Sequence, residues 1–159
     1  MRTYFYFKIS QLIYFMLFIP PPLIFVFTGI FIKFLPHLGL LLPMHFTASV
    51  VAIVAVIVAS LGVWEFHKHQ TTINPYDLEK TDRLVTSGIY RVSRNPMYLS
   101  LLLFLVAEVL WLGKPTGFLG IIIFILWMNM GQIKEEEKIL TDKFTEDYLN
   151  YRKKVRRWL

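Results

Sequence analysis

The feature that most limits what this chain can become is the run from His45 to Trp64, which carries no Asp, Glu, Lys or Arg, with Glu65 the first acid after it. A helix rises about 1.5 Å per residue and bilayer hydrocarbon is about 30 Å thick, so about 20 such residues make one crossing. Within the run, Ala48, Ala52, Ala55, Ala59 and Gly62 recur at steps of four and three. They draw a stripe of small side chains along one helix face, against which another backbone can pack closely.

The rest of the chain agrees with a membrane solution. Of its 159 residues 55% are apolar and only 18% charged, with a mean hydropathy of +0.51; soluble domains average about 25% charged. This excludes a disordered chain and fits a water-soluble enzyme poorly. Cysteine is absent, which removes disulfide frameworks, thiolate metal sites and cysteine nucleophiles. A second apolar block, Tyr4 to Leu35, is broken by Pro20, Pro21 and Pro22. Three prolines cannot lie inside a regular helix, so a short N-terminal helix followed by a span starting near Pro22 is expected. Met97 to Leu112 and Thr116 to Met130 follow, separated by Gly113, Lys114 and Pro115, and read as a tight helical hairpin. The expected fold is all-α: a polytopic membrane protein with four transmembrane helices, five being the alternative, and a C-terminal cytoplasmic amphipathic helix. Its parts are N-terminal spans (1–66), a cytoplasmic loop (67–96), the hairpin (97–130) and the tail helix (131–159).

Orientation follows from the bases. Lys68, Lys80, Arg83, Arg91 and Arg94 lie between the second and third spans, and eight more bases lie in the tail from Lys134 to Arg157, whereas loops 36–44 and 113–115 hold Lys114 alone. The positive-inside rule places 66–96 and 131–159 together in the cytoplasm, and Arg2 and Lys8 agree with a cytoplasmic N-terminus. No small-residue cleavage pattern precedes the prolines, so no removable signal peptide is expected.

Polar chemistry is expected in two cytoplasmic segments. In the first, Gly88 suits a turn, and Asn95-Pro96 reads as an N-cap followed by a first-position proline. The third span would therefore begin there, with the positive end of its dipole suited to a carboxylate or phosphate. In the second, Ile133, Leu140, Phe144, Tyr148, Tyr151, Val155 and Trp158 share one face of a helical wheel, as in a helix lying on a membrane or across another loop. Glu135 points away from that stripe, while Glu136 and Glu137 flank it. His67 and His69 flank the interface; with no further ligands beside them, a metal site is not expected. Glu108, inside the third span, is expected to be protonated or paired with Lys114, His37 or His45.

Together, Leu84-Val85-Thr86-Ser87-Gly88-Ile89-Tyr90-Arg91, Arg94-Asn95-Pro96-Met97-Tyr98 and the later Glu136-Glu137, Leu140, Phe144, Tyr148 and Tyr151 resemble the isoprenylcysteine carboxyl methyltransferase and phospholipid methyltransferase family of membrane enzymes. Thr71-Thr72-Ile73-Asn74-Pro75 looks like the family's lead-in. The resemblance implies S-adenosyl-L-methionine as methyl donor and a lipid-like or isoprenoid acceptor: a prenylcysteine carboxylate, a phospholipid amine or a small thiol. Carried over by position, Gly88, Tyr90, Arg94, Asn95, Pro96, Met97, Tyr98 and Glu136 would bind the donor. Arg94, Glu136 and Glu137 would be the catalytic group, and Lys154 would stand where prenylcysteine enzymes place an arginine for the substrate carboxylate. The chain departs from the family pattern at Asn95 (often histidine), Ile89 (proline), Ser100 (glycine) and Thr145 (glycine). Lysine keeps the charge of arginine but not its bidentate fork, so Lys154 weakens the case for a prenylcysteine substrate. Two other readings stay open: a non-catalytic membrane subunit recruiting a partner through its tail helix, and a membrane reductase of related architecture. Neither a nucleic acid nor a metal is expected as a partner.

Overall fold

The computed structural model describes residues 20–37, 43–69 and 84–159. Arg2, Lys8, the apolar segment before the prolines, Thr71–Tyr76, Lys80 and Arg83 lie outside the described residues. All regular structure among the described residues is helical: α1 (Pro21–Phe34), α2 (His45–Lys68), a 3-10 turn (Gly88–Arg91), α3 (Pro96–Leu112), α4 (Gly117–Met130) and α5 (Gln132–Lys154).

Local chemistry sets these boundaries. The prolines occupy the first turn of α1, where N–H groups lack intrahelical acceptors anyway. Leu35, which precedes Pro36, is extended and ends α1. Gly113 closes α3 in the left-handed conformation at φ 60, the usual glycine C-terminus. α3 does begin at Asn95-Pro96, but the Asn95 side chain makes no cap. It donates instead from Nδ2 to the Arg157 carbonyl at 3.0 Å, because the returning end of the chain offers a fixed acceptor there.

The long apolar helix packs on α3 along the small-residue stripe. Ala48, Ala55 and Gly62 are buried, while Phe46, Ile53 and Trp64 on other faces are exposed. A Cβ on Gly62 would come within 3.1 Å of Met97 Cγ, so the stripe allows close approach. A second core joins Ile24 and Ile32 of α1, Leu105 and Val109 of α3, Ile121, Phe124 and Met128 of α4, and Ile133 of α5. Gly120 admits Ile32, whose Cγ1 would stand 2.7 Å from an added Cβ. Two stretches are long and apolar enough to cross a bilayer, α2 and the near-continuous run Gly117–Lys154; α1 and α3 are apolar but shorter.

The tail is not one uninterrupted stripe. Ile133 and Tyr148 are buried as the wheel requires, but Thr145 sits at φ 41, ψ −107 inside α5. The helix ends at Lys154, with Val155 extended, so Val155 and Trp158 belong to a segment that turns back rather than to the helix face. Thr145 is the positive-φ non-glycine residue of the described chain. Its dihedrals lie near the first central position of a type II′ turn, where glycine is the natural occupant. Thr145→Gly is expected to stabilise the protein by about 1 kcal/mol through relief of this strain. Thermal unfolding followed by tryptophan fluorescence would show a raised midpoint; an unchanged or lower one would mean the kink stores no strain.

Candidate active site

The returning end of the chain builds the centre of the site. Arg94 N–H donates to the Arg156 carbonyl at 3.0 Å. Ser93 Oγ and Asn95 Nδ2 both donate to the Arg157 carbonyl, at 3.1 and 3.0 Å. Trp158 Nε1 reaches Asn129 Oδ1 on α4 at 3.1 Å. This places Arg157 over Glu137. Arg157 Nε and Nη2 donate to Glu137 Oε1 and Oε2 at 2.8 and 2.7 Å, a bidentate fork. Arg94 Nη1 lies 2.8 Å from the same Oε1 and donates to Tyr148 Oη at 3.1 Å. Burial by itself would raise the Glu137 carboxyl, but the Arg157 hydrogen bonds and the Arg94 and Arg157 charges outweigh it and hold it below its ordinary range.

One residue away the balance reverses. Glu136 Oε1 accepts from the Tyr98 hydroxyl in a very short bond and from Gln132 Nε2 at 2.8 Å. Burial dominates here; the Tyr98 and Gln132 hydrogen bonds offset it in part, the neighbouring Glu137 adds to it, and Glu136 is pushed up to about 7. Two adjacent carboxyls thus differ at neutral pH, one firmly ionised and one divided between acid and base, a division of labour typical of acid–base sites. Two buried polar atoms lack partners here, Arg94 Nε and Gln132 Oε1.

Tyr90 forms the third side. Its ring meets Phe66 of α2 edge-on at 5.5 Å, and its carbonyl accepts from Tyr151 Oη at 2.6 Å. Burial first, then Tyr151, Glu136 and Glu65, push its hydroxyl far up, so it stays protonated. Beyond it, Gly88 at φ 57 passes over the Glu65 carboxylate, which a Cβ would strike. Ser87 Oγ donates to Glu65 Oε2 at 2.6 Å and lies 2.9 Å from His69 Nε2.

A family model described as phospholipid methyltransferase matches residues 43–147. The chain belongs to the phospholipid methyltransferase family. It is also 38% identical over 73 residues to the protein-S-isoprenylcysteine O-methyltransferase of Saccharomyces cerevisiae, covering 45% of this chain and 30% of that enzyme. An uncharacterized Haemophilus influenzae protein is 57% identical over 63 residues, which cover 40% of this chain and all of that one. No solved structure matches. With two helical stretches able to cross a bilayer, the family marks this chain as a membrane methyltransferase.

Of the residues singled out in the sequence of this methyltransferase, Arg94 and Glu137 meet directly, and Tyr98 meets Glu136. Asn95 binds the tail, Pro96 is buried, Met97 packs toward Gly62, Gly88 covers Glu65, and Lys154 is exposed at the end of α5. Glu108 joins none of its expected partners. It lies against Gly29 of α1, with Lys33 the cation acting on it. Lys114 donates to the Lys33 and Leu35 carbonyls, and His45 packs on Trp111. Arg157 was not foreseen, because it lies beyond the helix end where wheel geometry no longer applies. Ser87 stands within the Leu84–Arg91 segment without a role of its own, and Glu65 carries no motif.

Removing one partner from a buried ion pair leaves an uncompensated charge. Glu137→Gln is therefore expected to cost about 3 kcal/mol, toward the low end of the range for buried pairs because the Arg157 side chain is 33% exposed. The stabilisation from Glu137 is complete above its ordinary value of 4.5 and is lost as pH falls through its depressed one. Unfolding midpoints measured from pH 3 to pH 7 should fall on the acid side in wild type and much less in Glu137→Gln. Parallel curves would show that the network does not stabilise the fold.

Proposed function

We propose that this protein transfers a methyl group from S-adenosylmethionine to a hydrophobic or lipid-like acceptor at the cytoplasmic face of the membrane. The observation that carries the reading is the meeting of Arg94 at the foot of α3 with Glu137 of α5, beside Tyr98 and Glu136, in a chain of this family. In the proposed topology α1 to α4 cross the bilayer and both termini are cytoplasmic. Arg91, Arg94 and the tail bases support this, gathering at one end while Lys114 binds α1 carbonyls at the other.

The residues present suit the donor. It carries a sulfonium and an ammonium, which call for acceptors and negative charge, and a carboxylate, which calls for donors. Gln132 Oε1 is a buried acceptor without a partner and Arg94 Nε a buried donor without one, and Glu136 can supply a carboxylate near neutral pH. Arg94 and the positive end of α3 would hold the donor carboxylate, and Glu136 and Gln132 its cationic groups. Tyr90 and Tyr98 would complete the wall, with cation–π attraction of about 0.5–2 kcal/mol available from a ring face. Gly88, Asn95, Pro96 and Met97 are proposed to shape the pocket through the backbone they set. When bound, the donor supplies an electrophilic methyl group.

The chain's own contribution is alignment and exclusion of water. Displacement at a methyl carbon needs donor, carbon and nucleophile in line, and such orientation recovers about 7–11 kcal/mol of the barrier. The Glu137 network fixes α3 against α5, so the groups flanking the pocket keep their spacing through the reaction. Lys154, exposed at the end of α5, is proposed to meet an anionic group of the acceptor outside the pocket.

Calorimetry on protein in lipid nanodiscs should show donor binding in the micromolar range, weakened at least tenfold by Arg94→Ala or Glu136→Ala. No detectable heat across several lipids and detergents would overturn the reading. Because Glu136 is raised to about 7, it is neutral below that pH and must lose its proton to meet a cation. Affinity should therefore climb from pH 5.5 to 7.5 with proton release to the buffer, and Glu136→Gln should flatten the profile. A wild-type profile without slope would remove Glu136 from the donor site.

A further inference from the structure

Arg152, Lys153, Lys154, Arg156 and Arg157 put five bases into six residues with no acid among them. Helix spacing gives the first three no partner on their own helix. The residues three and four positions before them are Tyr148, Leu149, Asn150 and Tyr151. Arg152, Lys153, Lys154 and Arg156 are exposed, and none makes an ion pair among the described residues. Arg157 is neutralised, but it shares the single carboxylate of Glu137 with Arg94. The negative end of the α5 dipole amounts to about half a charge, so a surplus of positive charge remains.

The segment that carries this charge is held at a definite level. Trp158 donates to Asn129, one residue before the end of α4, and packs on the apolar core. Met130 at that helix end and Leu159 beside the indole are both exposed. In the proposed topology this is the depth at which α4 leaves hydrocarbon, where indoles gather at the headgroup level. The same segment is joined to the foot of α3 through the Arg156 and Arg157 carbonyls, and Arg157 grips Glu137. Whatever holds residues 152–159 in place therefore also holds the arginine–glutamate network.

We infer that residues 152–159 are a docking surface for anionic lipid headgroups, and that such lipid strengthens donor binding. The coupling to the donor rests on the methyltransferase reading above; the affinity for anionic lipid does not. Like charges crowded into six residues repel one another and oppose the return of the segment onto α3. Phosphates at a negatively charged bilayer surface offset that repulsion, because bases close to such a surface are drawn to it. Trp158 and Leu159 add an apolar edge that rests in the interface. A zwitterionic headgroup has no net charge to contribute, so the effect follows the anionic fraction of the lipid.

Because the chain has no cysteine, Leu159→Cys places a single environment-sensitive fluorophore on the segment. In nanodiscs of equal parts phosphatidylcholine and phosphatidylglycerol its emission should shift to the blue relative to phosphatidylcholine alone, and high salt should reverse the shift. Calorimetry on the unlabelled protein should find S-adenosylmethionine bound roughly fivefold more tightly in the mixed discs, the lower end of ordinary coupling between sites. Lys153→Gln combined with Arg156→Gln keeps the Arg156 carbonyl in place. This variant should bind the donor as wild type does in phosphatidylcholine and lose most of the gain in the mixed discs. Inorganic phosphate added to phosphatidylcholine discs should change neither emission nor affinity. Emission that ignores lipid charge, or that responds equally to inorganic phosphate, would overturn the docking surface. Emission that follows lipid charge while donor affinity does not would overturn the coupling. Donor binding in neither lipid would overturn the methyltransferase reading instead, with the fluorophore still reporting on the docking surface.

Discussion

One carboxylate between two guanidiniums organises the polar half of this molecule. Glu137 receives Arg94 from the foot of α3 and the fork of Arg157 from the returning tail, tying three distant stretches of sequence to one point. Buried charges of this kind add little stability over a well-packed apolar substitute, but they tolerate few alternative arrangements. Here they fix where α5 leaves the hydrophobic core and where the tail lies.

The neighbouring glutamate shows what the arrangement is for. Glu136 and Glu137 are adjacent in sequence yet shift in opposite directions, because burial dominates at Glu136 whereas arginines outweigh it at Glu137. The permanently charged acid holds structure together. The other is pushed up to about 7 by its burial. A small-residue stripe delivers a third acid, Glu65 of α2, toward Tyr90, so acids from two helices act on that tyrosine.

Much of this was legible in the chain. The helices α2, α3 and α4 follow apolar runs whose ends are marked by Glu65, Asn95-Pro96 and Gly113, since periodicity and punctuation are local properties. The alanine stripe announced its packing face for the same reason. The partners of the site were harder to read. Arg157 lies beyond the end of α5, where position depends on a chain reversal that no periodicity encodes. Asn95 looked like a helix cap, and only the carbonyl supplied by Arg157 explains why its side chain turns away. For Glu108 the sequence leaves protonation or pairing with Lys114, His37 or His45 open, and helix packing seats it against Gly29. The kink at Thr145 was visible only as a departure from a glycine pattern, and its dihedrals explain that pattern.

The order of the residues along the polypeptide has a consequence for biogenesis. Translation runs from the N-terminus, and segments fold as they emerge, so the Arg94 end of the Glu137 network is made before the Arg157 end can fold back. Until then the acid has a single counter-charge, and Ser93 and Asn95 lack the carbonyl that pins them. The apolar helices can pack early, but the Arg94–Glu137–Arg157 network is complete only when these later residues fold back upon it.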